Sequence, residues 1–129
     1  MAETPAKLLP AERIFCALDT PDAAAAAALA ARLAPSIGGI KLGLEFFVAQ
    51  GPEGVRRVGA SGLPLFLDLK LHDIPNTVRG AILSLQGLAV DFLTGHTGGG
   101  AALMQAAAAA RNEAGLSGRR GKTHILGVT

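Results

Sequence analysis

Apolar residues gather in short runs along the chain, and a longer stretch of helical character follows each run but the last. The first run, Ile14-Phe15-Cys16-Ala17-Leu18, ends at Asp19; Thr20-Pro21-Asp22 then offers an N-cap, a proline for the first helical position and an early acid. The alanine-rich stretch 23–33 is the helix expected there, closed by Pro35 and Gly38-Gly39. Ile40-Lys41-Leu42 reads as a second strand. Gly43 and Leu44 open a second helix, which Gly51-Pro52 interrupts and which resumes to about residue 60. Pro64 introduces a third strand over 65–70, and Pro75-Asn76 starts a helix that runs to about residue 86 and stops at Gly87. Residues 88–93 read as a fourth strand, Gly98-Gly99-Gly100 precedes a helix to about residue 112, and 123–129 read as a fifth strand.

Strands separated by helices of this length require crossover connections, hence a parallel sheet covered on its faces, which is why the strands are almost wholly apolar. The pattern fits a (β/α)8 barrel or a doubly wound sheet equally well. Residues 1–12 read as an N-terminal extension and 13–129 as one unit. The alanine tracts 23–28 and 106–110 are good helix formers and carry no chemistry.

With 50% hydrophobic and 17% charged residues over 129 positions, the chain buries enough apolar surface to fold. Twelve Lys and Arg against ten Asp and Glu leave +2, and the only dense basic run, Arg119-Arg120-Gly121-Lys122, has no aromatic neighbour to stack on a base. That run reads as a solvated loop, and no nucleic-acid partner is expected. Cys16 is the single cysteine and reads as a buried, unreactive thiol. Residues 1–12 lack the apolar core of a signal peptide, and no run approaches the ~18 apolar residues of a membrane span. A cytoplasmic protein with no membrane partner is the expectation.

The charged positions narrow the picture. Asp68 and Lys70 lie two apart on the third strand, so both side chains share one face at the C-terminal end, where α/β proteins build their sites. Lys41 stands at the matching end of the second strand, and Asp73 follows on the loop beyond the third. An isolated buried ion costs tens of kcal/mol in the idealised limit, so two acids and two lysines converge only as an alternating, compensated set. Such sets are seldom retained for stability alone. The competing reading is a solvated ion pair on a strand edge; Asp19, also at the end of a strand, weighs against it. His72, Asp73 and His96 lack any His-x-x-x-His pair or cysteine cluster, so no metal is expected. Gly98-Gly99-Gly100 suits a phosphate cradle or, more simply, a tight turn.

Phe66-Leu67-Asp68-Leu69-Lys70-Leu71-His72-Asp73-Ile74-Pro75-Asn76-Thr77-Val78 closely resembles the signature of the orotidine 5'-monophosphate decarboxylases. Ala17-Leu18-Asp19, Ile40-Lys41-Leu42-Gly43 and His96 with its glycines fall in the family's order, so the resemblance covers nearly everything after Arg13. Gly95-His96-Thr97 departs slightly, since valine, His and Ala are more usual there. The resemblance implies a (β/α)8 barrel, of which these residues are about the first five strands and four helices. It implies a cofactor-independent carboxy-lyase of pyrimidine nucleotide synthesis, with the catalytic array Lys41, Asp68, Lys70 and Asp73. It also implies that Asp19 and Lys41 bind the ribose, and that Asp73 and Thr77 are contributed across a homodimer interface.

A complete barrel needs about 250 residues. By the resemblance, the serine that reads the pyrimidine amide and the glutamine and arginine that hold the phosphate would follow Thr129, so the 129 residues alone are expected to be inactive. Two alternatives stand beside this reading. Sugar-phosphate decarboxylases and synthases of the same superfamily share the Asp-x-Lys-x-x-Asp strand, but carry an acid where Lys41 stands and use a metal. A non-catalytic half-barrel is the other.

Overall fold

A computed structural model describes residues 6–129. Its main sheet is built from β1 (Phe15–Ala17), β2 (Gly39–Gly43), β3 (Leu65–Leu71), β4 (Phe92–His96) and β7 (His124–Val128). Helices α1 (Ala23–Leu33), α2 (Leu44–Gly59), α3 (Pro75–Leu83) and α4 (Ala101–Ala114) connect the strands in turn. The strands are all parallel, in the order β1-β2-β3-β4-β7, so each lies beside its neighbour in sequence and the order never reverses. A doubly wound sheet requires a reversal; a barrel does not. With right-handed crossovers, a sheet wound in one direction carries all its helices on one face and turns the other face inward. The structure is therefore an α/β partial barrel of five strands and four helices.

Alternation along each strand sorts residues between the two faces. Ile40, Leu42, Leu65, Leu67 and Leu93 are buried under the helices, against Ala26, Ala30, Phe46, Val58, Val78, Ile82, Leu103, Ala107 and Ala110. The alanine tracts thus have a packing role, since small side chains let α1 and α4 lie close to the sheet. The opposite face carries Phe15, Phe66 and Phe92, whose rings meet edge to face at centroid separations of 5.5–6.4 Å. His124 stacks on Phe92 at 5.7 Å. Cys16 is half-buried against the core, less enclosed than the sequence suggested.

Several local features differ from the sequence-based expectation. The cap of α1 is Asp22, which accepts the Ala25 N–H at 3.0 Å, while the Thr20 hydroxyl accepts the N–H of Asp22 itself. Gly51, at φ 62°, divides α2 as its Gly-Pro pair predicted. Helix α3 begins at Pro75 as expected but ends at Leu83. The fourth strand starts at Phe92 rather than at residue 88. Leu88 and Val90 are buried, but in a connection beneath the helices, so burial and not ladder pairing accounts for that apolar run.

The segment read as a solvated loop is a small antiparallel hairpin, β5 (Ser117–Gly118) and β6 (Gly121–Lys122), that closes the N-terminal end of the sheet. The Arg120 guanidinium donates to Glu12 O at 2.6 Å and Gly38 O at 3.1 Å, and lies over the Phe15 ring at 5.2 Å. Asp91, 2% exposed, accepts the Leu65 N–H at 2.9 Å and the Arg120 N–H at 2.7 Å. A side chain at Gly118 would overlap that carboxylate. Asp91→Ala leaves both amides unpaired and is expected to lower the unfolding free energy by about 1–3 kcal/mol, read from the urea midpoint. An unchanged midpoint contradicts this role.

Candidate active site

Lys41, Asp68 and Lys70 meet at the C-terminal end of the sheet. The parallel register sets Lys41 opposite Phe66 and Gly43 opposite Asp68, so the long Lys41 side chain reaches forward along the barrel axis. Its Nζ donates to Asp68 Oδ2 at 3.2 Å, and Lys70 Nζ donates to the same oxygen at 2.7 Å. Two ammonium groups from different strands thus share one carboxylate oxygen. Asp68 is 6% exposed, whereas the Lys70 side chain is 55% exposed.

Burial on its own raises the pKa of the Asp68 carboxyl. Hydrogen bonds from Lys70, Thr94 and Lys41, with the charge of Lys70, outweigh it and hold the group below the ordinary aspartate value. Asp68 is therefore an anion wherever the protein is folded near neutral pH.

The backbone beneath this cluster is irregular. Lys70 has φ 49° and is the only non-glycine residue with positive φ among the described residues. That conformation costs an L-residue about 1–2 kcal/mol and collects at functional sites. Simple alternation placed Asp68 and Lys70 on one face; the contact forms, but through a break in the β3–β4 ladder between Leu67 and Leu71.

The other expected site residues lie around the array without joining it. Asp73 is exposed, and its carboxylate accepts the N–H of Ile74 at 2.7 Å. Thr77 is exposed on the first turns of α3, and Asp19 is exposed just past β1. The rings of His72 and His96 stack at 4.6 Å, and His96 Nδ1 accepts the Gly98 N–H at 3.0 Å. The triple glycine has a steric reason: a side chain at Gly99 would overlap Leu103, and Gly100 has φ 88°.

Sequence reasoning missed Thr94. It is buried and donates to Asp68 Oδ1 at 2.8 Å. Placing the fourth strand at residues 88–93 left Thr94 just outside it. With β4 at Phe92–His96, alternation puts Phe92, Thr94 and His96 on the inner face.

The sequence profile described as "Orotidine 5'-phosphate decarboxylase / HUMPS family" matches residues 12–129. The chain belongs to that family. It is 55% identical over 100 residues to an orotidine 5'-phosphate decarboxylase of Novosphingobium aromaticivorans, covering 78% of this chain and 45% of that relative. The corresponding protein of Moorella thermoacetica is 50% identical over 118 residues, covering 92% of this chain and 47% of its own length. The chain thus spans about half the length of these relatives.

Among solved structures, orotidine 5'-phosphate decarboxylase from Pyrococcus horikoshii superposes with a TM-score of 0.72 at 25% identity, over 88% of this chain and 49% of that one. The Methanocaldococcus jannaschii enzyme complexed with the inhibitor BMP gives 0.78 at 19% identity, over 90% of this chain and 51% of that one, and speaks to the fold alone.

The depressed Asp68 pKa fixes a sign for pH dependence. Its contribution to stability is present above the unfolded value, near pH ~4, and is lost as pH falls through the lower folded value. Stability should accordingly fall more steeply in the wild type than in Asp68→Asn on acidification below about pH 4, measured as urea midpoints. Parallel curves would remove the ion pairs from the account.

Proposed function

We propose that this chain carries the decarboxylating half of an orotidine 5'-monophosphate decarboxylase, which forms uridine 5'-monophosphate and CO2 without a cofactor. The single observation behind this reading is the Asp68 oxygen shared by Lys41 and Lys70 at the C-terminal mouth of the sheet. Breaking the bond between C6 of orotate and its carboxyl carbon leaves the electron pair on C6, with no adjacent π system to spread it. Stabilisation then falls to the protein. A fixed Lys70 ammonium favours the developing negative charge and transfers a proton from Nζ to C6, after which the neutral amine regains a proton from solvent. Asp68 would face the substrate carboxylate, a repulsion relieved when neutral CO2 departs.

Lys41 argues against the sugar-phosphate alternative. An acid in its place would face Asp68 as a like charge and lose the 3.2 Å ion pair. Lys41 and Asp19 are proposed to bind the ribose. Asp73 and Thr77 are proposed to act in a partner's site across a homodimer; both are exposed, the Asp73 carboxylate bonds, among the described residues, only to the Ile74 N–H, and Ile74 is exposed beside them.

Loss of orotidine 5'-monophosphate absorbance, followed with the complete gene product, tests the reading. Turnover is expected, with a fall of about 10²–10⁴-fold in kcat for Lys70→Ala, the scale of a lost general acid or charge stabiliser. The isolated 129 residues are expected to be inactive, because binding energy from remote substrate groups assembles the reacting geometry. No turnover by the complete product overturns the assignment.

A further inference from the structure

The break in the β3–β4 ladder has an unequal count. Leu67 pairs with Leu93 and Leu71 with Gly95, so Asp68, Leu69 and Lys70 together stand opposite Thr94 alone. Bulges of this kind re-aim side chains and leave ladder groups without their usual partners. Here one buried hydroxyl, on a residue 4% exposed, takes up the slack. Thr94 Oγ1 accepts the Lys70 N–H at 2.9 Å and donates its own proton to Asp68 Oδ1 at 2.8 Å. Lys70 Nζ then closes on Asp68 Oδ2 at 2.7 Å. Lys70 is held at its backbone and at the tip of its side chain through the same two neighbours, in a closed ring of three hydrogen bonds.

A hydroxyl has one proton to give. Because the Lys70 N–H is already a donor to Thr94 Oγ1, the threonine proton is free for Asp68, which it meets as an acceptor. Accepting one bond polarises the O–H and strengthens the other.

We propose that Thr94 is a positioning residue of the decarboxylase centre, whose hydroxyl holds Lys70 in its left-handed conformation and fixes Asp68 as an oriented carboxylate, so that the Lys70 ammonium is aimed. The catalytic consequence rests on the function proposed above. The local geometry does not, and it can be tested without turnover.

Thr94→Val keeps the side-chain shape and removes the hydroxyl; Thr94→Ser keeps the hydroxyl and removes the methyl. In the 129-residue chain, Asp68 is titrated through its carboxyl carbon by NMR, and exchange of the Lys70 amide hydrogen is timed. In Thr94→Val the Asp68 titration should move up toward the ordinary aspartate range, and Lys70 exchange should quicken by at least about tenfold. Thr94→Ser should hold both near wild type. In the complete gene product, Thr94→Val should lower kcat at least about tenfold with KM changed by less than about threefold, and Thr94→Ser should restore most of it.

A folded Thr94→Val with unchanged Asp68 titration and Lys70 exchange overturns the proposal and makes Thr94 a packing residue. If Thr94→Val does not fold, Thr94→Ser decides: wild-type behaviour supports the hydroxyl, and a shift in both measurements overturns it. Wild-type product that shows no turnover counts against the decarboxylase reading, and the NMR arm still decides the role of Thr94.

Discussion

One buried carboxylate organises this structure. Asp68 receives Lys41 and Lys70 on one oxygen and Thr94 on the other, from three adjacent strands. Removing a carboxylate from water is tolerable only with such partners; here the parallel neighbours β2 and β4 supply Lys41 and Thr94, and β3 itself supplies Lys70 across its own irregularity. A slip of one residue in β2, β3 or β4 would send one of these side chains to the helix-covered face. The apolar residues Ile40, Leu42, Leu65, Leu67 and Leu93 fix that register by filling the opposite face. Core packing and site assembly are thus two outcomes of the same alternation.

The two ends of the sheet divide the work. At the N-terminal end, Asp91, Arg120 and the small hairpin tie residues 12, 38, 65 and 120 together through hydrogen bonds to the backbone. At the C-terminal end, polar groups remain exposed, the Lys70 backbone is strained, and the loop residues Asp19 and Asp73 and the helical Thr77 make no hydrogen bond or ion pair with the array. This is the usual separation in barrels between an end that confers stability and an end that carries chemistry.

Much of this was legible from the residues. Alternating apolar runs and helix signals located the elements, and the spacing of Lys41, Asp68 and Lys70 anticipated their meeting. The resemblance of residues 66–78 to a known signature then chose the barrel, a choice the strand order supports independently. Other features were hidden for physical reasons. An apolar run records burial and not hydrogen bonding, so Leu88 and Val90 were read as ladder and Thr94 fell outside its strand. Bulges leave no pattern in a period of two, so the break at Lys70 was invisible. Arg120 looked like solvated charge because its partners are carbonyl oxygens distant in sequence.

Lys41 and Asp68 are energetically joined across two strands, and not merely near each other. A double-mutant cycle with Lys41→Met and Asp68→Asn, read as unfolding free energies of the 129-residue chain, measures this directly. A coupling of about 0.5–3 kcal/mol is expected between the two positions. Additive effects, with no coupling beyond error, would contradict it.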